Sequence, residues 1–311
     1  MKKTKIFIDG KAGTTGLRIE QRLSARDDVE ILSLPDELRK DPIAKKQMLN
    51  SVDVVFLCLP DAAAIESVSM IENEDVVVID ASTAHRTNPD WAYGFAELGE
   101  EFEEKIKQSK RIAVPGCHAS GFIALVYPLV KNGILPANAL LTAHSLTGYS
   151  GGGKGMIADY EADERNPLLD GPRQYALGQA HKHLPEMVKI TGIEKAPVFC
   201  PIVGDFYSGM EVTVPLFKEQ LNYGGIEDVK KIYKDLYNSP IISYNEASDE
   251  SGFISSVKLS TKDSMSIEVY GNDDRMILVA RYDNLGKGAS GAAVECLNIK
   301  LGCDKTKTLE I

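Results

Sequence analysis

The chain has 311 residues, 43% hydrophobic and 26% charged, which is length enough for two domains and apolar material enough for a substantial core. A formal charge of −10 at pH 7 argues against a nucleic-acid surface, because neutralising phosphates needs a cationic face. Five scattered cysteines, Cys58, Cys117, Cys200, Cys296 and Cys303, form no CxxC pair, which speaks against a metal site and for a reducing cytoplasm.

The start, MKKTKIFIDG, passes from lysines directly into a strand pattern, so neither a signal peptide nor a membrane span is expected. The first third alternates β-rich and helical runs: KIFI, TTGLRIEQRLSA, VEILSL, PIAKKQMLNS, DVVFLCLP, AAAIESVSMI and VVVIDAS. That alternation predicts parallel βαβ units. The strands lack period-two polarity, as they should when helices cover both faces of the sheet.

Directly after the first strand, DGKAGTTGLRIEQRL spaces Gly10, Gly13 and Gly16 three residues apart. Glycine permits a tight turn and close backbone approach to a pyrophosphate, and the following helix start adds N–H donors and a favourable dipole. The strand before and the helix after favour a dinucleotide site over an ordinary strand–helix turn, with Gly10, Gly13, Thr14, Thr15 and Gly16 as cofactor-binding positions. At the end of the second strand stands Ser33, where an NAD site usually carries an acidic residue; Asp36 lies slightly beyond, then Arg39 and Lys40. The cations could accept a 2′-phosphate, which favours NADP(H), with Asp36 as the opposing feature.

Arg86, in DASTAHR after a strand end, is a candidate anion ligand. In AVPGCHASGF, Cys117 stands behind a Pro-Gly turn and ahead of apolar residues at helical spacing (Phe122, Ile123, Leu125, Val126, Leu129, Val130), with a kink predicted at Pro128 and an end at Gly133 and Pro136. A sulfur at a helix start meets N–H groups that favour thiolate and could hold an oxyanion. The competing reading is a small buried structural cysteine, the commoner fate of a single Cys; Cys58, inside VVFLCLP, is the contrasting core case.

From about Leu140 the texture changes to longer, more alternating strands (LLTAHSL, GMEVTVPL, SMSIEVYG, MILVARYD), the mark of an α+β domain with a largely antiparallel sheet. SLTGYSGGGKG is a flexible glycine run that can wrap an anion or simply turn between strands, with Ser150 and Lys154 as substrate-binding candidates. A thiolate needs a proton partner, and AHKHLPEM supplies His181 and His183 with Glu186 close by. His183 is favoured, since Leu184-Pro185-Glu186 tie down its loop and offer a carboxylate; His181 is the runner-up and His118 a rival. The closing DNLGKGASGAAVECLNIKLG reads as a glycine-rich turn and an apolar helix returning to the first domain. The organisation expected is α/β: a Rossmann-type parallel-sheet domain over 1–116, completed by 285–311, and an α+β catalytic and oligomerisation domain over 117–284.

Seven stretches, GKAGTTGLRI, VVFLCLPDAAA, VIDASTAHR, AVPGC, TGYSGGGKGMIADYE, HKHLPEM and DNLGKGASGAAVE, run nearly end to end, and together the chain resembles the shorter form of the N-acetyl-gamma-glutamyl-phosphate reductases. The resemblance implies an arginine-biosynthesis enzyme that reduces an acyl phosphate to an aldehyde with NADP(H) and releases inorganic phosphate. It implies Cys117 as the nucleophile of a thioester route, a histidine of the 181/183 pair as acid/base, Asn284 at the nicotinamide carboxamide, and a homodimer or homotetramer. One departure stands out: the family commonly continues Tyr-Pro-Thr after PGC, whereas here His118, Ala119 and Ser120 follow. Two alternatives remain at this stage. An aspartate-semialdehyde or aminoadipyl-phosphate reductase would share fold, cysteine and histidine, and a non-catalytic NADP-sensing module would leave Cys117 structural.

Overall fold

The structure, a computed structural model, describes residues 3–39 and 41–311; Lys40, one of the cations expected at a 2′-phosphate, lies outside them. The chain divides into two compact units. Met1–Ala96, Glu100–Pro115 and Ala289–Leu309 form the first, and Glu97–Gly99, Gly116–Gly288 and Glu310–Ile311 the second.

In the first unit the described residues form strands β1 (Thr4–Asp9), β2 (Val29–Leu32), β3 (Val54–Leu57), β4 (Val77–Asp80), β5 (Ala92–Tyr93) and β6 (Arg111–Ala113), with helices α1 (Thr14–Ser24), α2 (Pro42–Ser51), α3 (Asp61–Ser69) and α4 (Glu100–Gln108). The sheet is parallel throughout, in the order β2-β1-β3-β4-β6-β5, a Rossmann-like arrangement. Its strands are apolar on both sides for a visible reason. Ile6, Ile8, Val54, Phe56 and Ile79 pack with Ile19 and Leu23 into one core layer, while the alternate residues Phe7, Val55, Leu57 and Val78 pack with Leu49 into another. Helix α2 starts at an Asp-Pro pair. The Asp41 carboxylate accepts the N–H groups of Ile43 (2.8 Å) and Ala44 (3.1 Å), and proline occupies the first turn, where its missing N–H goes unneeded.

The second unit begins with α5 (Cys117–Lys131) and continues through β7 (Thr142–Gly148), α6 (Gly153–Tyr160), β8 (Arg173–Gln174), α7 (Leu184–Thr191), β9 (Val198–Gly204), β10 (Met210–Phe217), α8 (Ile226–Leu236), β11 (Ile242–Tyr244), β12 (Met265–Gly271) and β13 (Arg275–Tyr282). The strand order is β11-β12-β13-β10-β7-β9-β8, antiparallel except for the β11/β12 and β7/β9 pairs. Helix α5 packs on β10 and β13 and against α7 and α8, and it runs on through Pro128 to Lys131. The glycine run expected to be a loose loop is ordered instead. Strand β7 extends to Gly148, and the N–H groups of Gly148, Tyr149 and Ser150 pair with the carbonyls of Gly209, Phe206 and Tyr207 before a short 3₁₀ turn leads into α6.

Residues 285–288, expected with the first domain, belong to the second unit. The Asp283 carboxylate accepts the N–H groups of Leu285 (2.7 Å) and Gly286 (2.8 Å), which folds this turn back onto the end of β13. A π-helical turn over Gly286–Ser290 then leads into α9 (Gly291–Lys300), which packs in the first unit against α1, α4 and β4.

Candidate active site

The turn between β1 and α1 is built by backbone-to-backbone packing. At Gly10 (φ +84°) a Cβ would lie 2.3 Å from the Cys58 carbonyl oxygen, and at Gly16 it would lie 2.7 Å from the Gly10 oxygen, so both positions exclude any larger residue. Gly13 donates its N–H to the Gly10 carbonyl (2.9 Å) and caps α1, whose first residues are Thr14 and Thr15. Beside this turn lies a cavity of about 230 Å³ whose lining includes Gly10, Lys11, Ser33, Arg39 and Lys45. Gly10, Ser33 and Arg39 are thereby brought together. Arg39 pairs with Asp36 at 2.8 Å on the exposed rim, so the residue that opposed an NADP reading is engaged by the residue that favoured it. Lys45, on α2 and bonded to Asp9 at 2.9 Å, was not singled out from the sequence, where a lysine in a helical pattern looks like any solvated one.

In the second unit Cys117 is the first residue of α5. Gly116, extended at φ −76°, ψ 144°, has no side chain with which to cap the helix. The turn is held from far away: the buried Glu186 carboxylate accepts the Gly116 N–H at 2.8 Å, just ahead of the helix. One oxygen of Glu186, the carboxylate expected to orient or charge a histidine of the pair, meets the turn that carries the cysteine. Tyr282 donates its hydroxyl to the Cys117 carbonyl (2.5 Å) and accepts the Gly121 N–H (3.0 Å). Gly288 completes the surroundings: a Cβ there would lie 3.0 Å from the Cys117 Cβ, a tight contact that glycine avoids.

His118, His181 and His183 form one cluster. Ring centroids are 4.7 Å apart for His181 and His183, and 5.6 Å for His118 with each of them. His118 is buried, with Nδ1 2.6 Å from Ser145 Oγ and Nε2 2.6 Å from Tyr175 OH. Burial, and then the neighbouring His181, push its pKa down to about 3, so the ring is neutral at physiological pH. His183, also buried, stands at the N-terminus of α7, and its N–H donates to His181 Nδ1 at 3.2 Å. That contact makes Nδ1 an acceptor and puts the proton of neutral His181 on Nε2. Tyr175 was missed in the sequence because nothing in its spacing ties it to a histidine 57 positions earlier.

Two of the remaining candidates, Asn284 and Ser150, are hydrogen-bonded to each other. Asn284 is buried, its Oδ1 accepting the Gly209 N–H and its Nδ2 donating to Ser150 Oγ, both at 3.0 Å. Ser150 is fully buried, whereas Lys154 is exposed at the start of α6. Arg86 lies in the first unit, where its guanidinium donates to the carbonyls of Val114 (2.8 Å) and Ala81 (3.0 Å). None of the cysteines is in a disulfide. Among the described residues no helix is long and apolar enough to cross a membrane, and no cluster of His, Cys, Asp and Glu has the makings of a metal site.

Residues 19–109 match the family described as semialdehyde dehydrogenase, NAD binding domain, and residues 117–284 match the semialdehyde dehydrogenase dimerisation domain. The N-acetyl-gamma-glutamyl-phosphate reductase of Sinorhizobium medicae is 44% identical over 307 residues, spanning 96% of this chain and 99% of its own. That of Trichormus variabilis is 42% identical over 315 residues, spanning 97% and 98%. Among solved structures, aspartate semialdehyde dehydrogenase II of Vibrio cholerae complexed with ASA aligns with a TM-score of 0.74 at 15% identity, over 97% of this chain and 99% of that one. The aspartate semialdehyde dehydrogenase of Candida albicans with NADP aligns at 0.65 and 18%, over 96% and 98%. These two structures share the fold. Identity of 42–44% sustained from end to end goes well beyond a shared fold, and the chain belongs to the N-acetyl-gamma-glutamyl-phosphate reductase family of oxidoreductases.

Proposed function

We propose that the chain reduces N-acetyl-gamma-glutamyl phosphate to N-acetylglutamate semialdehyde with NADPH and releases inorganic phosphate, as a cytoplasmic step of arginine biosynthesis. The observation that carries this reading is Cys117 at the first position of α5, with Glu186 and Tyr282 holding the turn, in a chain of this family. At a helix start the leading N–H groups, here including those of His118 and Ala119, have no helical carbonyl to bond, and such donors favour thiolate and oxyanion alike.

The turn after β1 suits a dinucleotide pyrophosphate, because Gly10 and Gly16 have no room for a Cβ and the first N–H groups of α1 lack helical acceptors. Ser33, Arg39 and Lys45, lining one cavity, support NADPH over NADH. Asn284, with Oδ1 and one Nδ2 proton engaged, keeps a second Nδ2 proton for a nicotinamide carboxamide.

In the proposed reaction Cys117 thiolate attacks the acyl carbon, a C–S bond forms, and phosphate leaves with the electron pair of the broken C–O bond. The nicotinamide supplies the hydride that reduces the resulting thioester. A histidine of the 181/183 pair holds the proton lost by the thiol, gives it to the oxygen of the hemithioacetal, and takes it back as the hemithioacetal collapses, breaking the C–S bond and freeing the aldehyde with Cys117 left as thiolate. For the departing phosphate, Lys154 offers an exposed charge, while Ser150 and Arg86 are already bonded within the protein. The match of residues 117–284 to a dimerisation domain supports a homodimer or homotetramer built through the second unit.

The test is oxidation of N-acetylglutamate semialdehyde by NADP, with and without phosphate, beside aspartate semialdehyde. One equivalent of NADPH per active site, then a stall relieved by phosphate, is the expected result. A steady phosphate-free rate would mean hydrolysis of the thioester and exclude the reading, and preference for aspartate semialdehyde would move the substrate assignment.

A further inference from the structure

We propose that Tyr282 is a positioning residue for Cys117, its hydroxyl hydrogen-bonded to both the Cys117 carbonyl and the Gly121 N–H in the first turn of α5; this rests on Cys117 being the nucleophile. A regular α-helix bonds the carbonyl of one residue to the N–H four residues on, and Cys117 and Gly121 are such a pair. Here Tyr282 serves both groups, donating to the carbonyl at 2.5 Å and accepting from the N–H at 3.0 Å.

The surroundings leave the hydroxyl little freedom. Tyr282 is the last residue of β13, fully buried, on a strand paired along its length with β10 on one side and β12 on the other. The cysteine backbone is therefore referenced to the middle of a sheet and not to a loop. Gly121 makes the close approach possible: a Cβ there would lie 2.7 Å from the tyrosine oxygen and 2.6 Å from Val212 Cγ2. Burial first, and then the adjacent cysteine, raise the phenol far above its ordinary pKa, so it keeps the proton it donates.

Two consequences follow for the thiol. The Cys117 carbonyl and the His118 N–H belong to one peptide unit, and a donor on the oxygen polarises that unit and strengthens the N–H. This N–H is among those at the helix start that stabilise negative charge on sulfur or on an oxyanion. The hydroxyl also holds the Cys117 backbone from the side opposite in sequence to Glu186, which holds the preceding residue.

Tyr282→Phe keeps the ring and removes both hydrogen bonds. The expected result is a kcat lowered roughly ten- to a hundredfold with KM changed by less than about threefold. The pH midpoint of iodoacetamide alkylation at Cys117, followed by mass spectrometry of its peptide, should rise by roughly half to one unit. Site-specific 3-fluorotyrosine at position 282 keeps the size and both bonds while donating more strongly, and should shift the midpoint the other way. An unchanged alkylation profile and kcat in Tyr282→Phe overturns the proposal, as does a loss of rate that merely tracks lost folded protein while the midpoint stays put. Should Tyr282→Phe fail to fold, an unshifted midpoint with 3-fluorotyrosine overturns it. Cys117→Ala separates the underlying reading: if that variant turns over, the nucleophile assignment has failed, whereas an inactive Cys117→Ala beside an unaffected Tyr282→Phe counts against Tyr282 alone.

Discussion

The Cys58 thiol, just past β3, is pushed up to about 12, by burial first and then by the charges of Asp80 and Asp9, so it stays protonated at neutral pH. Cys117 meets a helix start instead. Iodoacetamide at about pH 7.5 should accordingly modify Cys117 well ahead of Cys58, and equal labelling of the two peptides would contradict the contrast drawn between them. Cys117→Ala should retain less than roughly one per cent of the wild-type rate while binding nucleotide normally by fluorescence titration, because Cys117 is not among the residues lining the cavity beside the glycine turn. The histidines separate by protonation. His118, pushed down to about 3, carries no proton to give near neutrality, so His118→Gln should keep any ionisation seen between about pH 6 and 8 in the rate profile. His183→Asn should lower the rate by roughly two to four orders of magnitude and remove that ionisation; its survival in the variant would pass the acid/base role to His181.

The helix starts that carry the proposed chemistry, one in each unit, are built differently. The start of α1 depends on glycines, since the chain must pass within contact distance of itself. Gly10→Ala puts a Cβ 2.3 Å from the Cys58 oxygen at a left-handed φ, whereas Gly13→Ala meets its nearest neighbour at 3.4 Å. The first should destabilise the protein by about 1–3 kcal/mol and abolish NADP(H) binding, and the second should be the milder in a thermal melt; the reverse order would show that the turn relaxes. The start of α5 depends on Glu186 and Tyr282, which arrive from 70 and 165 positions away. Glu186→Gln keeps an acceptor for the Gly116 N–H and removes the charge, so it should cost activity less than Glu186→Ala, a comparison of kcat that separates the hydrogen bond from the charge.

Across the whole molecule, acid should weaken each unit through a carboxylate held below its ordinary range. In the first unit Asp28 is lowered chiefly by its bond to Arg26, and in the second Glu250 is lowered to about 2, by Arg281 first and then by Lys258. A carboxylate whose folded pKa lies below its unfolded one adds stability above about pH 4.5 and loses that contribution as pH falls toward the folded value. The melting temperature should therefore decline between about pH 5 and 2, and Glu250→Gln should flatten part of that decline; an identical profile in the variant would remove this ion pair from the explanation. The strands of the first unit, the glycine turn and the cysteine at a helix start were legible in the sequence, because each is a local demand: an apolar run to cover, a φ only glycine adopts, a Pro-Gly turn before a helical period. The partners of that cysteine were not. Glu186 reads as a carboxylate beside the histidine pair, Tyr282 as the end of an ordinary strand, and His118 as a rival base; the fold brings the first to Gly116 and the second to Cys117, and buries the third between Ser145 and Tyr175. Periodicity records which face of an element is apolar, but which polar groups meet across the core depends on how distant strands and helices come together, and that only the tertiary structure decides.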